Sequence, residues 1–320
     1  MTQSIRDCVI GFDTSAYTTS VAAVTRDLVI FQQRQLLKVP PSQRGLRPQE
    51  AVFEHVQNMP ALIENLVQAI SAYSIRGICV SEKPRPLPTS YLPPFSVGLS
   101  FARSLAYVYG VPLSLSTHQE GHIQAALWSI GHEEWTCFSA LHISGGTTEL
   151  LQIRRQDPGH FVIQRIGGTD DLYAGQLVDR VGVMLGLPFP AGPHLQALAR
   201  HATDPLMLTV PRVWHDGTEW KTSFSGPETQ ARRAYEQGAA GANIARGVEL
   251  VLARTLARLI ERAVNIWPLV VVGGVAANET LRQELIRHTS HPQEIFFASP
   301  DLSRDNAVGI ARIGYQLFNS

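Results

Sequence analysis

Two histidines four residues apart, His118 and His122, are the residues whose type and spacing most directly suggest chemistry in this chain. Residues at positions i and i+4 share one face of a helix, so both imidazoles can reach the same metal ion. Two such histidines also occur on helices for purely structural reasons, and a metal site needs at least one more ligand. The stretch STHQEGHIQAA therefore offers two ligands of a metal site and leaves the others to be found elsewhere.

The position of Glu120 argues against a metallopeptidase. Zinc peptidases of the HExxH type carry the glutamate directly after the first histidine, where it acts as a base, and the inverted type carries it directly before the second. Glu120 stands between the two histidines without adjoining either, on the helix face turned away from them. Thr117 and Glu120 instead fit a capping box, in which the glutamate returns to the backbone of the capping residue. We therefore expect a helix that begins after Thr117.

Asp305 could supply a third ligand, and two other single carboxylates stand out in the sequence. Asp305, in LSRDNAVGIA, is predicted to lie in the first turn of the last helix, with Ser303 as its cap. Asp13 lies in an otherwise apolar strand, where a buried charge is costly without a partner. Asp179 is a further single carboxylate. A capping role explains Asp305 equally well, and the sequence alone does not connect it to His118.

Two glycine-bearing turns are candidates for binding a phosphate or a nucleotide. SGGTT, residues 144–148, reads as a hairpin turn in which Gly145 and Gly146 permit positive φ and the close approach of a ligand. GGVAAN, residues 273–278, follows a buried strand and opens a helix from about Ala276, whose N-terminus would favour anions. Each also has an ordinary explanation, a Gly-Gly hairpin or a tight strand-to-helix turn.

The elements around these residues occur twice in the same order. CVIGFDTSAYTTSVAAVT and CFSALHISGGTTELLQIRR each predict a strand, a small polar turn and a second strand, and a third strand follows in both cases. Either turn could present backbone N–H groups to a phosphate. Helical patterns follow each set, and a loop-rich stretch with tryptophans and prolines interrupts the second half. The pattern suggests a duplicated α/β fold that holds a nucleotide between two lobes.

Composition limits the classes of function. Charged residues make up 17% of the 320 residues and their formal net charge is zero, which gives no support for a strongly basic nucleic-acid-binding protein. Cys8, Cys79 and Cys137 lie beside apolar runs without CxxC spacing, so we expect buried reduced thiols. MTQSIRD leads directly into a strand, and no apolar run reaches membrane length. We expect a soluble cytoplasmic protein.

Taken together, these segments resemble the tRNA N(6)-adenosine threonylcarbamoyltransferase family, long labelled glycoprotease or O-sialoglycoprotein endopeptidase. The similar segments, in chain order, are GFDTS with its opening strand, THQEGHI with its HxEGH segment, HISGGTTEL with its SGGHT hairpin, LVDRVGVMLGLPFPAGP with its FDK…LLGLxYPGGP segment, SFSG with its FSFSG segment, VVGGVAAN with its adenosine-side loop, and DNAVGIA with its DNA-x-x-A helix. The resemblance implies an α/β, two-lobed sugar-kinase/Hsp70/actin-like fold with a duplicated ribonuclease-H-like core.

The resemblance also implies a set of site residues and a division of the chain. It implies one divalent metal, iron or zinc, held by His118, His122 and Asp305. It implies that the substrate or nucleotide is bound by Ile143, Ser144, Gly145, Gly146, Thr147, Asp179, Gly192 and Asn278. We expect an N-terminal lobe at 1–115, with the C-terminal helix 303–318 packed on it, and a C-terminal lobe at 116–302 that carries the metal and nucleotide motifs.

The activity implied by the resemblance is metal-assisted acyl transfer. The family moves a threonylcarbamoyl group from threonylcarbamoyl-adenylate to the N(6) amine of the adenosine that follows the anticodon in tRNA, with AMP leaving. The implied partners are tRNA and protein subunits of a threonylcarbamoyladenosine-forming complex, with no membrane. An adenine nucleotide is the implied substrate component beside the metal.

The chain departs from the family pattern at several positions, most of them outside the metal and nucleotide segments. A proline-rich loop, KPRPLPTSYLPPF, replaces a glycine-rich loop. The single-residue departures are Ala16 and Tyr17 for a cysteine and an acid, Phe53 for an arginine, Thr147 for the SGGHT histidine, and Glu228 for a lysine. These departures keep open a second function, that of a catalytically altered paralogue serving as a nucleotide-binding scaffold or regulator in tRNA modification.

Overall fold

The computed structural model describes residues 6–38, 46–157 and 160–319. Within those residues, no helix is both long and apolar enough to cross a membrane. The chain divides into two compact units. The first takes in the described parts of 1–135, 155–162 and 304–320, and the second takes in 136–154 and 163–303.

The first unit is built on a five-stranded sheet. Its strands are β1 (Arg6–Thr14), β2 (Thr18–Val24), β3 (Val29–Leu36), β4 (Tyr73–Lys83) and β5 (Leu113–Thr117), and its helices are α1 (Pro48–Ala69), α2 (Phe95–Tyr109), α3 (His118–Ile130) and α9 (Val308–Phe318). The spatial order is β3-β2-β1-β4-β5, with β1 antiparallel to β2 and parallel to β4.

Alternating side chains of β1 face two different layers, as the two-residue period of a strand requires. Ile10 and Phe12 are buried in a core shared with Met59 and Leu62 of α1. Gly11 faces α9 so closely that a Cβ on it would lie 2.5 Å from the backbone nitrogen of Ala311. The apolar run CVIGF is therefore covered on both faces, which explains why it lacks the polar alternation of a surface strand.

The second unit repeats the same sheet and extends it. Its strands are β6 (Cys137–Ile143), β7 (Thr148–Asp157), β8 (His160–Thr169), β9 (Trp214–His215), β10 (Trp220–Thr222), β11 (Leu269–Val272) and β12 (Ile295–Phe297), and its helices are α4 (Ala174–Met184), α5 (Gly192–Ala199), α6 (Ser225–Glu236), α7 (Gly241–Ala263) and α8 (Glu279–His288). The order β12-β11-β6-β7-β8 mirrors that of the first unit, and β10 and β9 add to its far edge. The predicted duplicated core is confirmed.

Three features differ from the sequence-based expectation. Helix α3 belongs to the first unit, together with α9, whereas the predicted boundary placed residues 116–302 in the other lobe. The helix expected from Ala276 begins at Glu279, after a short 3-10 turn at Gly274–Ala277. The loop-rich stretch contains α5, α6 and the short strands β9 and β10, which are too brief to give a clear hydrophobic period.

Candidate functional sites

Helix α3 begins at the predicted capping box. Thr117 is the N-cap, and its hydroxyl accepts a hydrogen bond from the Glu120 backbone N–H at 3.3 Å. The Glu120 carboxylate accepts hydrogen bonds from the Thr117 backbone N–H at 2.9 Å and from the Ser116 hydroxyl at 3.1 Å. Its other oxygen accepts from the Phe161 backbone N–H at 3.2 Å. Glu120 is thus a buried carboxylate committed to the start of α3, and the predicted capping box is confirmed.

The side chains of His118, His122 and Asp305 converge in the first unit. The two Nε2 atoms lie 3.1 Å apart, and Asp305 Oδ1 lies 3.2 Å from Nε2 of His122 and 3.6 Å from Nε2 of His118. These three form the one group of His, Cys, Asp and Glu side chains with metal-ligand spacing among the described residues. Ligands that each bind Zn²⁺ at about 2.0–2.2 Å stand about 3–3.5 Å from one another in a tetrahedral site. The donor set and its spacing therefore fit one divalent ion.

Asp305 reaches this position from outside the last helix, so its predicted placement in the first turn was wrong. Helix α9 begins at Val308, and the side-chain oxygen of Asn306 accepts from the backbone N–H groups of Val308 at 3.0 Å and Gly309 at 3.4 Å. Ser303, the predicted cap, donates its hydroxyl to the Ser299 carbonyl instead. Because Asn306 serves the helix N-terminus, the Asp305 carboxylate is left to face the histidines.

Two glycines allow α9 to approach α3. A Cβ on Gly309 would lie 1.8 Å from the carbonyl oxygen of Gly121, and a Cβ on Gly121 would lie 2.7 Å from the Ile310 side chain. Gly121 stands inside HQEGH, directly before His122, and Gly309 stands four residues after Asp305. The helices thus touch backbone to backbone, and this crossing places the carboxylate beside the two imidazoles. Sequence reasoning missed the pair, although a glycine in each of two helices was a signal.

The charges of the cluster stabilise one another. Burial alone would lower the pKa of His118, but the charge and hydrogen bond of Asp13, joined by those of Asp305, raise it well above its ordinary value. Burial alone would raise the pKa of Asp305, but its hydrogen bonds with His118 and His122 bring it well below its ordinary value. A bound cation would take over the role of the positive imidazole.

The 144–148 turn of the second unit exposes glycine backbone and contains no positive φ. Ser144 donates its backbone N–H to the Thr147 carbonyl at 2.9 Å, and the two hydroxyls are hydrogen-bonded at 2.7 Å. Neither Gly145 nor Gly146 uses the positive φ that glycine permits. A Cβ on either would meet nothing within 4 Å, so the space beside both backbones is open. Ile143, at the end of β6, is fully buried.

Two other glycines near this turn, Gly175 and Gly273, lie where another backbone leaves no room for a side chain. A Cβ on Gly175, in the first turn of α4, would lie 2.6 Å from the Gly145 nitrogen, and Gly175 donates its N–H to the Ser144 carbonyl at 3.0 Å. Gly273 has φ +100°, and a Cβ there would lie 2.2 Å from the Ile143 carbonyl oxygen. At both positions the absence of a side chain lets another backbone segment pack directly against the turn and fix its position. Gly273 opens the GGVAAN segment that the sequence singled out, whereas Gly175 was missed.

Asp179 and Gly192 are brought together by the segment before α5. The Asp179 carboxylate accepts a hydrogen bond from the Ala191 backbone N–H at 2.7 Å. Burial raises the pKa of Asp179 above its ordinary value. Gly192 is the first residue of α5, and a Cβ there would meet no atom within 4 Å. Asp179 therefore fixes the backbone from which Gly192 faces open space.

Both the oxygen and the nitrogen of the Asn278 side-chain amide form hydrogen bonds within the protein. Its oxygen accepts from the Leu281 backbone N–H at 2.8 Å, which makes it the N-cap of α8, and its nitrogen donates to Glu249 at 2.6 Å. Glu249, buried on α7, also accepts hydrogen bonds from Thr280 at 2.8 Å and Arg246 at 3.0 Å. The side chain predicted to contact a nucleotide thus has a clear structural role.

We expect Asn278→Ala to lower the free energy of unfolding by about 0.5–2 kcal/mol, because it removes a helix cap. Asn278→Ser keeps an oxygen at the capping position and should recover most of that loss. Chemical denaturation of the two variants beside the parent protein measures both values. An alanine variant that unfolds like the parent but binds adenine nucleotides far more weakly would contradict the capping account.

The SFSG segment is held by a carboxylate that the sequence did not single out. Asp171 accepts hydrogen bonds from the Ser225 hydroxyl at 2.7 Å, from the Ser225 backbone N–H at 3.2 Å and from the Ser223 hydroxyl. It also accepts from the Phe224 backbone N–H at 3.3 Å. A carboxylate therefore already occupies the N-terminus of α6, where a helix would otherwise favour an anion.

Comparisons with known proteins point to one family. The family model described as tRNA N6-adenosine threonylcarbamoyltransferase matches residues 29–312. A tRNA N6-adenosine threonylcarbamoyltransferase of Thermus thermophilus is 32% identical over 308 residues, which cover 95% of this chain and 90% of that protein. A protein of the same name from a second strain of Thermus thermophilus is equally similar.

Solved structures at lower identity share the fold. HypF of T. kodakarensis has a TM-score of 0.62 at 15% identity and covers 100% of this chain and 48% of its own. The activator of the 2-hydroxyisocaproyl-CoA dehydratase from Clostridium difficile, with bound ADPNP, has a TM-score of 0.57 at 13% identity and covers 98% of this chain and 96% of its own. The sugar-kinase/Hsp70/actin-like fold is confirmed. From the family match and the identity across nearly the whole chain, we conclude that the protein belongs to the tRNA N6-adenosine threonylcarbamoyltransferase family.

Proposed function

We propose that this protein transfers a threonylcarbamoyl group from threonylcarbamoyl-adenylate to the N(6) amine of the adenosine that follows the anticodon in tRNA, and that it does so in the cytoplasm with a divalent metal. In this reaction the amine nitrogen forms a bond to the carbamoyl carbonyl carbon, and the bond from that carbon to the AMP phosphate oxygen breaks. The observation that carries the proposal is the convergence of His118, His122 and Asp305 in a chain that belongs to this family.

His118, His122 and Asp305 are the residues that would hold the metal. Two imidazole nitrogens and one carboxylate oxygen leave coordination positions for other ligands, and this donor set suits iron or zinc. A divalent ion bound there would supply Lewis-acid polarisation of the transferred group. Glu120, committed to the cap of α3, takes no part in proton transfer.

We propose that the 144–148 turn binds the phosphate of the adenylate. The open space beside Gly145 and Gly146 leaves room for phosphate oxygens near their backbone N–H groups, although Gly146 N–H already donates to the Ser144 hydroxyl at 3.2 Å. The close fit of Gly175 against Ser144 and Gly145 would keep the turn in place before the ligand arrives. We assign Ile143 and Gly192 to binding through their backbone.

We expect Gly145→Val to abolish binding of adenine nucleotides while sparing the fold. The valine side chain would project into the open space beside the backbone, where the phosphate would lie; its Cβ would meet no atom within 4 Å, and φ is not positive. Isothermal titration calorimetry with ATP and AMP, together with thermal melting, measures both effects. A folded variant that binds both nucleotides as the parent does would remove the turn from the proposed site.

An assay of threonylcarbamoyl transfer distinguishes the proposed transferase from a paralogue that acts only as a scaffold or regulator. Purified protein loaded with Fe²⁺ or Zn²⁺ is incubated with threonylcarbamoyl-adenylate labelled in the threonyl moiety and with unmodified tRNA, and label retained on tRNA is counted. We expect label on the tRNA and its loss with an adenosine-to-guanosine change at the target position. A protein that binds the adenylate and gives no labelled tRNA, even with partner subunits supplied, would favour the paralogue that acts as scaffold or regulator.

A further inference from the structure

The corner between β1 and β2, residues 13–18, lies against the candidate metal ligands. The sequence predicted that this small polar turn would present backbone N–H groups to a phosphate. In the structure, Ser15 N–H is used inside the turn, where it donates to the Thr18 carbonyl at 3.1 Å. The polar side chains of the corner point to His118 and Asp305 instead.

Asp13 holds His118 through the ring nitrogen that is turned away from the other ligands. Both carboxylate oxygens of Asp13 lie 3.0 Å from His118 Nδ1, and Asp13 is fully buried. Because a carboxylate only accepts, Nδ1 carries the proton, and Nε2 faces His122 and Asp305. The Ser81 hydroxyl donates to Asp13 and fixes it in turn. A histidine that binds a metal commonly donates its second N–H to such a carboxylate.

Ser15 and Thr18 hold Asp305 through the oxygen that is turned away from the histidines. Their hydroxyls donate to Asp305 Oδ2 at 2.9 Å and 3.2 Å. Oδ1 is therefore the oxygen directed at His118 and His122. With Oδ2 occupied by two donors, Asp305 is prepared to bind an ion through one oxygen.

The corner is itself anchored by a buried histidine of α1. His55 Nε2 donates to the Ser15 carbonyl at 2.8 Å, and its Nδ1 is hydrogen-bonded to the Thr19 hydroxyl at 2.8 Å. Asn58 donates to the same Thr19 hydroxyl at 3.2 Å. Burial lowers the pKa of His55, which agrees with a neutral ring in this position. The corner therefore has fixed positions for its side chains before any ion binds.

We propose that residues 13–18 are the positioning element of the metal centre, with Asp13 orienting His118 and with Ser15 and Thr18 restricting Asp305 to a single ligand oxygen. This inference rests on the metal-assisted function proposed above. It assigns to the opening turn of the chain a role in metal binding where the sequence pattern suggested phosphate binding.

The test uses the full-length protein with Co²⁺ alone as the probe. Chelator competition gives the affinity, and the visible absorption spectrum reports the ligand arrangement. We expect Asp13→Asn to lower Co²⁺ affinity about 10- to 100-fold. We expect Ser15→Ala to change the visible spectrum, because Oδ2 then keeps only the longer hydrogen bond from Thr18 and can turn more easily toward the ion. Asp27→Asn, at an exposed carboxylate, is the matched control and should change neither readout.

The outcomes decide the inference independently of transfer activity. A folded Asp13→Asn variant with the affinity and spectrum of the parent would overturn it. If Asp13→Asn fails to fold, Ser15→Ala decides alone, since it changes no charge, and an unaltered spectrum would overturn the inference. A parent protein that binds no Co²⁺ would overturn it as well. A parent protein that binds Co²⁺ but transfers nothing would contradict the proposed function and leave the inference standing.

Discussion

Replacing either His118 or His122 by alanine should abolish stoichiometric binding of a divalent metal, and Asp305→Ala should weaken it strongly. Each change removes one of three donor atoms that lie within 4.8 Å of one another. A single imidazole and a carboxylate are too few for a stable site, whereas Asp305→Ala keeps both imidazoles. Elemental analysis after dialysis against a metal buffer measures the content of each variant. His201→Ala, at an exposed histidine of the second unit, is the control and should retain full metal content.

The same variants should stay folded. Removing His118 leaves Asp13 buried without its imidazole partner, so we expect that variant to unfold at a lower temperature than His122→Ala. If both histidine variants keep the metal content of the parent, then His118 and His122 are ordinary helix residues and the metal centre does not exist.

The largest expected effect on stability comes from Gly309→Ala. Its Cβ would lie 1.8 Å from the carbonyl oxygen of Gly121, an atom of a helix backbone that has no rotamer with which to move away. We expect a loss of about 3 kcal/mol in the free energy of unfolding, since α9 must separate from α3. Metal content should fall too, because the two helices place the carboxylate beside the histidines.

Gly241→Ala is the matched control for this substitution. Gly241 is also in the first turn of a helix, as the first residue of α7, and its added Cβ would meet only side-chain atoms at 3.5 Å and beyond. Denaturant unfolding of both variants separates a general cost of replacing glycine from the cost of the helix contact. A Gly309→Ala protein as stable as the parent, with full metal content, would show that the crossing of α3 and α9 does not need to be this close.

The helix start at Thr117 could be predicted from the sequence because the capping box is a local device. The hydroxyl and the carboxylate that define it lie three residues apart, and both bonds form as predicted. The duplication of the fold could also be predicted, because the strand–turn–strand pattern occurs twice in the sequence. In these cases the interacting groups are close in the chain or repeat along it.

The placement of Asp305 could not be predicted from local rules. The stretch SRDNAVG offers three residues able to cap α9, and local preference does not choose among Ser303, Asp305 and Asn306. The choice is made by partners about 290 residues away in the chain, because Ser15 and Thr18 bind the Asp305 carboxylate and leave Asn306 to cap the helix.

The glycines of the second unit show a similar limit. Gly145 and Gly146 were singled out because glycine permits positive φ and the close approach of a ligand, yet the backbone has no positive φ there. The positions that require glycine are Gly175 and Gly273, where a Cβ would lie within 2.6 Å of another backbone segment. Such close approaches are set by the packing of elements distant in the chain, which a turn pattern does not contain.

Mass spectrometry of the tRNA nucleosides after the reaction tests the central claim most directly. Metal-loaded protein, threonylcarbamoyl-adenylate and unmodified tRNA are incubated together, beside identical mixtures that contain the His118→Ala variant or a chelator. The account predicts threonylcarbamoyladenosine at the position following the anticodon with the parent protein, and its absence from both other mixtures. Equal amounts of the modified nucleoside in all three mixtures, or none with a folded, metal-loaded parent protein supplied with its partner subunits, would contradict it.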